Sequence, residues 1–115
     1  METLMAAVHE QGRSRYDAPI IGPRGKLKYG DRTVHLSERS ALLAGVFIYH
    51  FGSELTDLEL LERVWPEGAT RRTLRAHLRR LDRRLARVGL TVVDSGYRSH
   101  SLLPVDGLRA LDKAS

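Results

Sequence analysis

The chain has no cysteine among its 115 residues, so neither a disulfide framework nor a thiolate metal site is available. It lacks any stretch near the ~18 apolar residues of a membrane span, and its first residues lack the basic start and apolar run of a secretory signal. No HExxH metal motif, phosphate-binding glycine loop or Ser-His-Asp set is visible. We therefore expect a cytoplasmic protein with no enzymatic activity, no cofactor, no metal site and no membrane contact.

The composition is that of a folded protein. Hydrophobic residues make up 42% of the chain and charged residues 29%, which is ordinary for a globular protein and too apolar for a disordered one. Because single domains commonly have about 100–150 residues, a chain of this length has room for one hydrophobic core. From the patterns described below we predict a domain over residues 20–103, an N-terminal extension over 1–19 and a tail over 104–115.

Positive charge is concentrated in one segment. The formal net charge of the chain is +5, and the stretch from Arg71 to Arg87 contains eight arginines and one aspartate. That stretch carries +7, so all other residues together carry −2. Such an asymmetry favours a polyanionic partner.

The same segment has the pattern of an amphipathic helix over residues 70–88. Its apolar residues recur at steps of four and three, and they are Leu74, Leu78, Leu81, Leu85 and Val88. On a helix they fall within a stripe about 80° wide, with most of the arginines opposite. Thr70 is placed as the N-cap, and Gly89 is placed as the left-handed cap at the other end.

A solvated surface helix is the alternative explanation for this arginine-rich face. Such a helix normally carries oppositely charged partners three or four residues apart, and only Asp82 is present to pair with eight arginines. The spacing also covers about two heptads, too few for a coiled coil. Nucleic-acid binding is therefore the favoured interpretation.

Two further helices and a hairpin precede this segment. Alternating apolar residues on either side of Gly30-Asp31 predict a β-hairpin ending near Leu36. Ser37 is a suitable N-cap for a helix over 38–51, whose inward face we assign to Leu42, Leu43, Val46 and Phe47.

A shorter second helix is predicted from "TDLELLERVWP". Thr56 and Glu59 have the spacing of a capping box, and Pro66 ends the helix. We expect Trp65 to anchor the core at its C-terminal end.

A second hairpin, over 90–103, follows Gly89. The Asp94-Ser95-Gly96 tripeptide predicts its turn. Tyr97 comes directly after this turn, where it fits a contact at the hairpin tip and packing in the core equally well. The order of elements predicts an α+β fold, a winged helix-turn-helix with a three-helix core, a small N-terminal antiparallel sheet and a C-terminal β-hairpin wing.

Several segments resemble the OmpR/PhoB-type winged-helix domains at the C-terminus of response regulators. "RTLRAHLRRLDRRL" is similar to the recognition helix of that family, and "SGYR" is similar to the glycine-tyrosine-arginine signature of its wing. "VHLSERSALL" and "LLERVW" resemble the entry to the first helix and the second helix. The resemblance covers about residues 20–103, and Arg75 and Asp82 depart from it, since the family usually has an acidic residue at the first position and a basic one at the second.

The resemblance implies a DNA-binding protein whose third helix enters the major groove of double-stranded DNA. The residues it places toward DNA are Arg72, Thr73, His77, Arg79, Arg80, Tyr97 and Arg98. Three further arginines on the same helix complete the predicted interface: Arg71, Arg75 and Arg83.

Fewer than 20 residues precede the first hairpin, too few for a phosphoacceptor receiver domain, so we expect a stand-alone, nucleoid-associated transcriptional regulator. The alternative is a winged-helix interaction module that binds the transcription machinery or another acidic protein through the basic helix. RNA polymerase, another transcription protein and a second copy of the chain remain open as partners.

Overall fold

Residues 18–105 are described by the computed structural model, and they form three helices and two small antiparallel sheets. The predicted extension over 1–19 and the predicted tail over 104–115 lie almost wholly outside the described residues. Among the described residues, no helix is long and apolar enough to cross a membrane.

The first sheet has three strands in the order β1 (Ile20–Ile21), β2 (Lys26–Tyr29) and β3 (Arg32–His35). The predicted hairpin is confirmed, with its turn at Gly30. Strand β1 was not predicted, because two residues are too few to show an alternating pattern. A short 3-10 turn connects β1 to β2, and the two strands pair antiparallel.

Helix α1 spans Glu38–Tyr49 and ends two residues before the predicted boundary. Ser37 is its N-cap, as predicted, and its hydroxyl accepts a hydrogen bond from the backbone N–H of Ser40. The assigned inward face needs a correction, since Leu42 is 52% exposed and Ala44 is buried. Leu42 and Leu43 differ by about 100° around a helix, so both cannot point to the centre of the core.

Helix α2 spans Asp57–Val64 and begins with the predicted capping box, in which Thr56 and Glu59 exchange hydrogen bonds. Trp65 follows the last turn and is buried, as expected. The Arg39 side chain of α1 donates a hydrogen bond to the carbonyl of Val64 and stacks on the Trp65 ring. These contacts close the C-terminal end of α2 against α1.

Helix α3 spans Arg71–Leu85, with Thr70 as its N-cap. The predicted single helix to residue 88 is divided, because residues Ala86–Val88 form a 3-10 turn before Gly89 takes the predicted left-handed conformation. All five residues of the predicted apolar stripe are buried. The stripe therefore fixes which face of α3 is turned outward.

The second sheet has the order β4 (Leu55–Thr56), β6 (Ser99–Pro104) and β5 (Leu90–Gly96). The predicted turn at Asp94-Ser95-Gly96 is wrong. Strand β5 continues through these residues with a bulge, and the chain reverses at Tyr97 and Arg98. The Asp94 carboxylate accepts a hydrogen bond from the Gly96 N–H, so a turn-like local sequence forms the bulge instead.

Candidate nucleic-acid interface

The outer face of α3 and the turn that follows it carry a continuous set of arginines, here called the basic face. All eight are exposed, and they are Arg71, Arg72, Arg75, Arg79, Arg80, Arg83, Arg84 and Arg87. In the described part of the chain, Arg71 alone among them lies within ion-pair distance of a carboxylate. The other seven positive charges are left available to an external anion.

The basic face borders two clefts. On one side, Arg75 and Arg79 line a cleft of about 370 Å³ between α3 and the β5–β6 hairpin, together with Asp94 and His100. On the other side, a cleft of about 550 Å³ separates the second half of α3 from the start of α1. The residues that line this second cleft are Ser37, Ser40, Arg80, Arg83, Arg84 and Arg87.

Asp82 does not pair with the arginines around it. Its Oδ1 atom accepts hydrogen bonds from the Thr91 hydroxyl at 2.9 Å and from the Val92 N–H at 2.8 Å. Both donors lie on β5, at the base of the hairpin. The acidic side chain that departs from the family resemblance therefore attaches the hairpin to α3 and leaves the basic face unneutralised.

A buried polar cluster supports the start of α3, and the sequence did not reveal it. Asp57 is 1% exposed, and its Oδ1 atom lies 2.7 Å from Nε2 of His100. Its Oδ2 atom lies 3.3 Å from Nε of Arg71, close enough for an ion pair, although no hydrogen bond forms at that oxygen. Forty-three residues separate Asp57 from His100, so no local motif could have indicated the contact.

Asp57 also connects the hairpin tip to α2. Its backbone N–H donates to the carbonyl of Arg98 at 2.9 Å, and strand β4 pairs with β6 immediately beside it. As the first residue of α2, the carboxylate is further stabilised by the partial positive charge at the helix N-terminus. One residue thus joins α2, α3 and the wing hairpin.

His77 lies on the side of α3 that faces α2. Its ring packs edge-to-face on Trp65 with centroids 5.1 Å apart, and its Nδ1 atom donates to the carbonyl of Thr73 at 3.0 Å. His77 and Thr73 are both half-buried. On α3, the predicted interface therefore divides into exposed arginines and two half-buried residues at its α2 edge.

Tyr97 and Arg98 form the two-residue turn at the tip of the β5–β6 hairpin. Both have positive φ, 54° and 59°, and the Tyr97 side chain is fully exposed. Of the two roles that its sequence position allowed, packing of the ring in the core is excluded. Non-glycine residues in this conformation cost roughly 1 kcal/mol each, a cost commonly found where a side chain has a function.

The chemistry available at this surface is that of arginine. The guanidinium group is always charged and donates in a fixed fork that matches a phosphate or a guanine edge. Over residues 18–105, no group of three or more His, Asp or Glu side chains could hold a metal ion. The exposed basic face and the projecting hairpin tip suit a polyanion that is long enough to touch both.

No protein-family model matches the chain, and no curated protein sequence matches it. Solved structures do resemble it. The C-terminal domain of the nisin resistance regulator NsrR, a lantibiotic response regulator, superposes with a TM-score of 0.65 at 18% identity, covering 75% of this chain and 92% of that one.

Two DNA-binding domains give similar values. That of the response regulator AdeR, in complex with an intercistronic region, has a TM-score of 0.65 at 16% identity and covers 76% of this chain and 95% of its own. The DNA-binding domain of E. coli CadC has a TM-score of 0.62 at 21% identity, covering 78% of this chain and 90% of that one. The predicted fold is thereby confirmed: the chain has the α+β winged-helix fold of OmpR/PhoB-type DNA-binding domains.

Proposed function

We propose that this chain binds double-stranded DNA sequence-specifically and acts in transcriptional regulation. Helix α3 lies in the major groove, and the β5–β6 hairpin is the wing that contacts the flanking backbone or minor groove. The observation that carries the proposal is the basic face. Seven of its eight arginines make no ion pair within the described residues, and a stripe of buried leucines holds the face outward.

The arrangement of this face supports contact with a groove. Arg72 and Arg79 lie about 20° apart around the helix axis and about two turns apart along it, so their side chains project in nearly the same direction. Such a pair can follow a DNA groove over several base pairs. Phosphate contacts would position the helix, and arginine contacts to guanine edges would supply sequence preference.

Salt dependence is the first test of DNA binding. If four to six phosphates are neutralised, log K should fall against log[salt] with a slope of roughly −4 to −5 for duplex DNA. Fluorescence anisotropy with a labelled duplex over a range of NaCl concentrations measures it. A slope near zero would contradict the proposal.

The double variant Arg72→Ala/Arg79→Ala tests the helix directly. We expect it to lose at least about 1 kcal/mol of DNA-binding free energy. The matched control is Lys28→Ala/Arg32→Ala, which removes the same charge from exposed positions on β2 and β3. Equal losses in the two variants would indicate attraction by net charge rather than by α3.

Selection of bound duplexes from a random pool at physiological salt tests sequence specificity. An enriched motif supports a regulator, and a direct or inverted repeat within it would show that two copies bind together, with a spacing set by their symmetry. DNA binding without enrichment would leave a non-specific architectural role. If no DNA binds at all, the interaction-module alternative replaces this proposal.

A further inference from the structure

The cleft between α1 and α3, here called the α1 cleft, has the features of a binding site that the proposed major-groove contact does not require. It has a volume of about 550 Å³ and is lined by two serines and four arginines. Arg84 and Arg87 belong to it, and neither is among the residues that the sequence places on the groove. No described carboxylate lies within 4 Å of any of its four guanidinium groups.

Ser40 adds a hydroxyl group to the lining of the cleft. The residue is 6% exposed, belongs to the first part of α1, and borders the cleft. A serine hydroxyl can donate a hydrogen bond to an anion, so Ser40 and the four guanidinium groups can bind the same negatively charged ligand.

The start of α1 supplies further donors on the same side. Ser37 caps the helix and also lines the cleft, yet its oxygen lies 3.4 Å from the Ser40 N–H, a long and weak hydrogen bond. The N–H groups of a first helical turn lack partners within the helix and attract anions. Glu38, in the same turn, borders a different cleft, formed with Gly22 and Leu36, so no acidic side chain lines the α1 cleft.

We propose that the α1 cleft binds phosphate, and that it takes two linked phosphate groups. A phosphate monoester carries close to two negative charges, so four guanidinium groups match a diphosphate better than a single phosphate. The serine hydroxyls and the first-turn N–H groups of α1 add hydrogen-bond donors on the α1 side of the cleft. Two sources present this chemistry, a free diphosphate or polyphosphate and the backbone of bound DNA, and only the second rests on the proposed DNA-binding function.

Titration of the DNA-free chain with inorganic pyrophosphate tests the first source. Isothermal calorimetry is run on the wild type and on Arg84→Gln/Arg87→Gln, with Arg75→Gln/Arg79→Gln in the other cleft as the control of equal charge. We expect the first variant to weaken pyrophosphate binding at least about tenfold and the control to change it much less. Inorganic phosphate should bind more weakly than pyrophosphate.

Ser40→Ala is a second, gentler variant. It removes one hydroxyl from a residue within α1, where alanine is a good helix former, so the fold should be unaffected, and urea unfolding checks this. Pyrophosphate binding should still weaken by several-fold. If Ser40→Ala has wild-type stability and binds pyrophosphate as tightly as the wild type, Ser40 is not part of the site.

The salt slope of DNA binding tests the second source. If the cleft holds backbone phosphates, Arg84→Gln/Arg87→Gln should make the slope shallower by roughly 1.8, since each phosphate contact contributes about 0.9. Pyrophosphate binding with an unchanged slope assigns the cleft to a free ligand. A changed slope without pyrophosphate binding assigns it to DNA.

The proposal is overturned if the wild type shows no binding at about 1 mM pyrophosphate and the DNA slope is unchanged in the variant. It is equally overturned if the wild type binds pyrophosphate and the variant and its control weaken that binding to the same extent. If Arg72→Ala/Arg79→Ala binds DNA as tightly as the wild type, the proposed function and the DNA-backbone source are affected. The free-ligand source is not, because the pyrophosphate titration contains no DNA.

Discussion

The Oδ1 atom of Asp82, on α3, accepts a hydrogen bond from the backbone N–H of Val92, on β5, at 2.8 Å. The same oxygen accepts from the Thr91 hydroxyl. A single carboxylate therefore fixes the position of the wing relative to the helix that carries the basic face. The sequence resemblance predicted a basic residue at this position, and the acid that replaces it has a structural role in this chain.

Substitution of Asp82 should reduce stability. Asp82→Ala leaves the Val92 N–H without its acceptor, and we expect the free energy of unfolding to fall by about 1.5–3 kcal/mol. Asp82→Asn keeps an oxygen at the site and should lose less. Urea unfolding of the three proteins measures the difference, and equal stability of both variants would mean that Asp82 matters only through its charge.

Asp57 should be among the most sensitive residues near the interface. Asp57→Ala removes the buried partner of both His100 and Arg71, and a loss of about 3 kcal/mol in the free energy of unfolding is expected. His100→Gln should cost less, because its amide can still donate to the carboxylate. Chemical denaturation is the measurement, and a change below about 0.5 kcal/mol for Asp57→Ala would argue against the cluster.

Tyr97 should affect binding and stability in opposite directions. Tyr97→Asn relieves a positive φ that asparagine tolerates well, so thermal stability should be equal to that of the wild type or higher by up to about 1 kcal/mol. DNA affinity should fall because the exposed ring and its hydroxyl are lost from the wing tip. A variant that unfolds more easily than the wild type would indicate that the ring packs on the protein.

Stability should depend on pH through the capping box of α2. The hydrogen bond from the Thr56 backbone lowers the pKa of Glu59 below its ordinary value, with further lowering from the Thr56 hydroxyl. A pKa that is lower in the folded state contributes stability above the unfolded value, and this contribution is lost as pH falls through the folded value.

Glu59→Gln isolates this effect, since the amide oxygen can still accept the Thr56 bonds but does not titrate in this range. We expect the stability of the wild type to fall more than that of Glu59→Gln between about pH 7 and about pH 3.5, around the ordinary glutamate pKa. Parallel urea titrations at several pH values provide the comparison. Identical pH profiles would show that the carboxylate charge has no part in the cap.

Local signals accounted for much of the fold. The caps at Ser37, Thr56 and Thr70 depend on contacts within three residues, and the leucine stripe of α3 depends on a repeat within one helix. The left-handed conformation of Gly89 is also a local feature, because glycine alone among the residues adopts it without a steric cost. These features are short-range, and the sequence contains all the residues that make them.

The sequence alone thus determined the three helices, the two hairpins, their order along the chain and the charge of α3. Tertiary structure decided how the neighbouring elements contact α3. Asp82 binds β5, Asp57 contacts His100 and Arg71, and α1 forms a cleft with the last arginines of α3. Each of these contacts joins residues on different elements, and the periodic pattern of apolar residues in a sequence does not show which elements pack together. The wing turn shows the same limit, because pairing with β6 converted a local turn signal into a bulge.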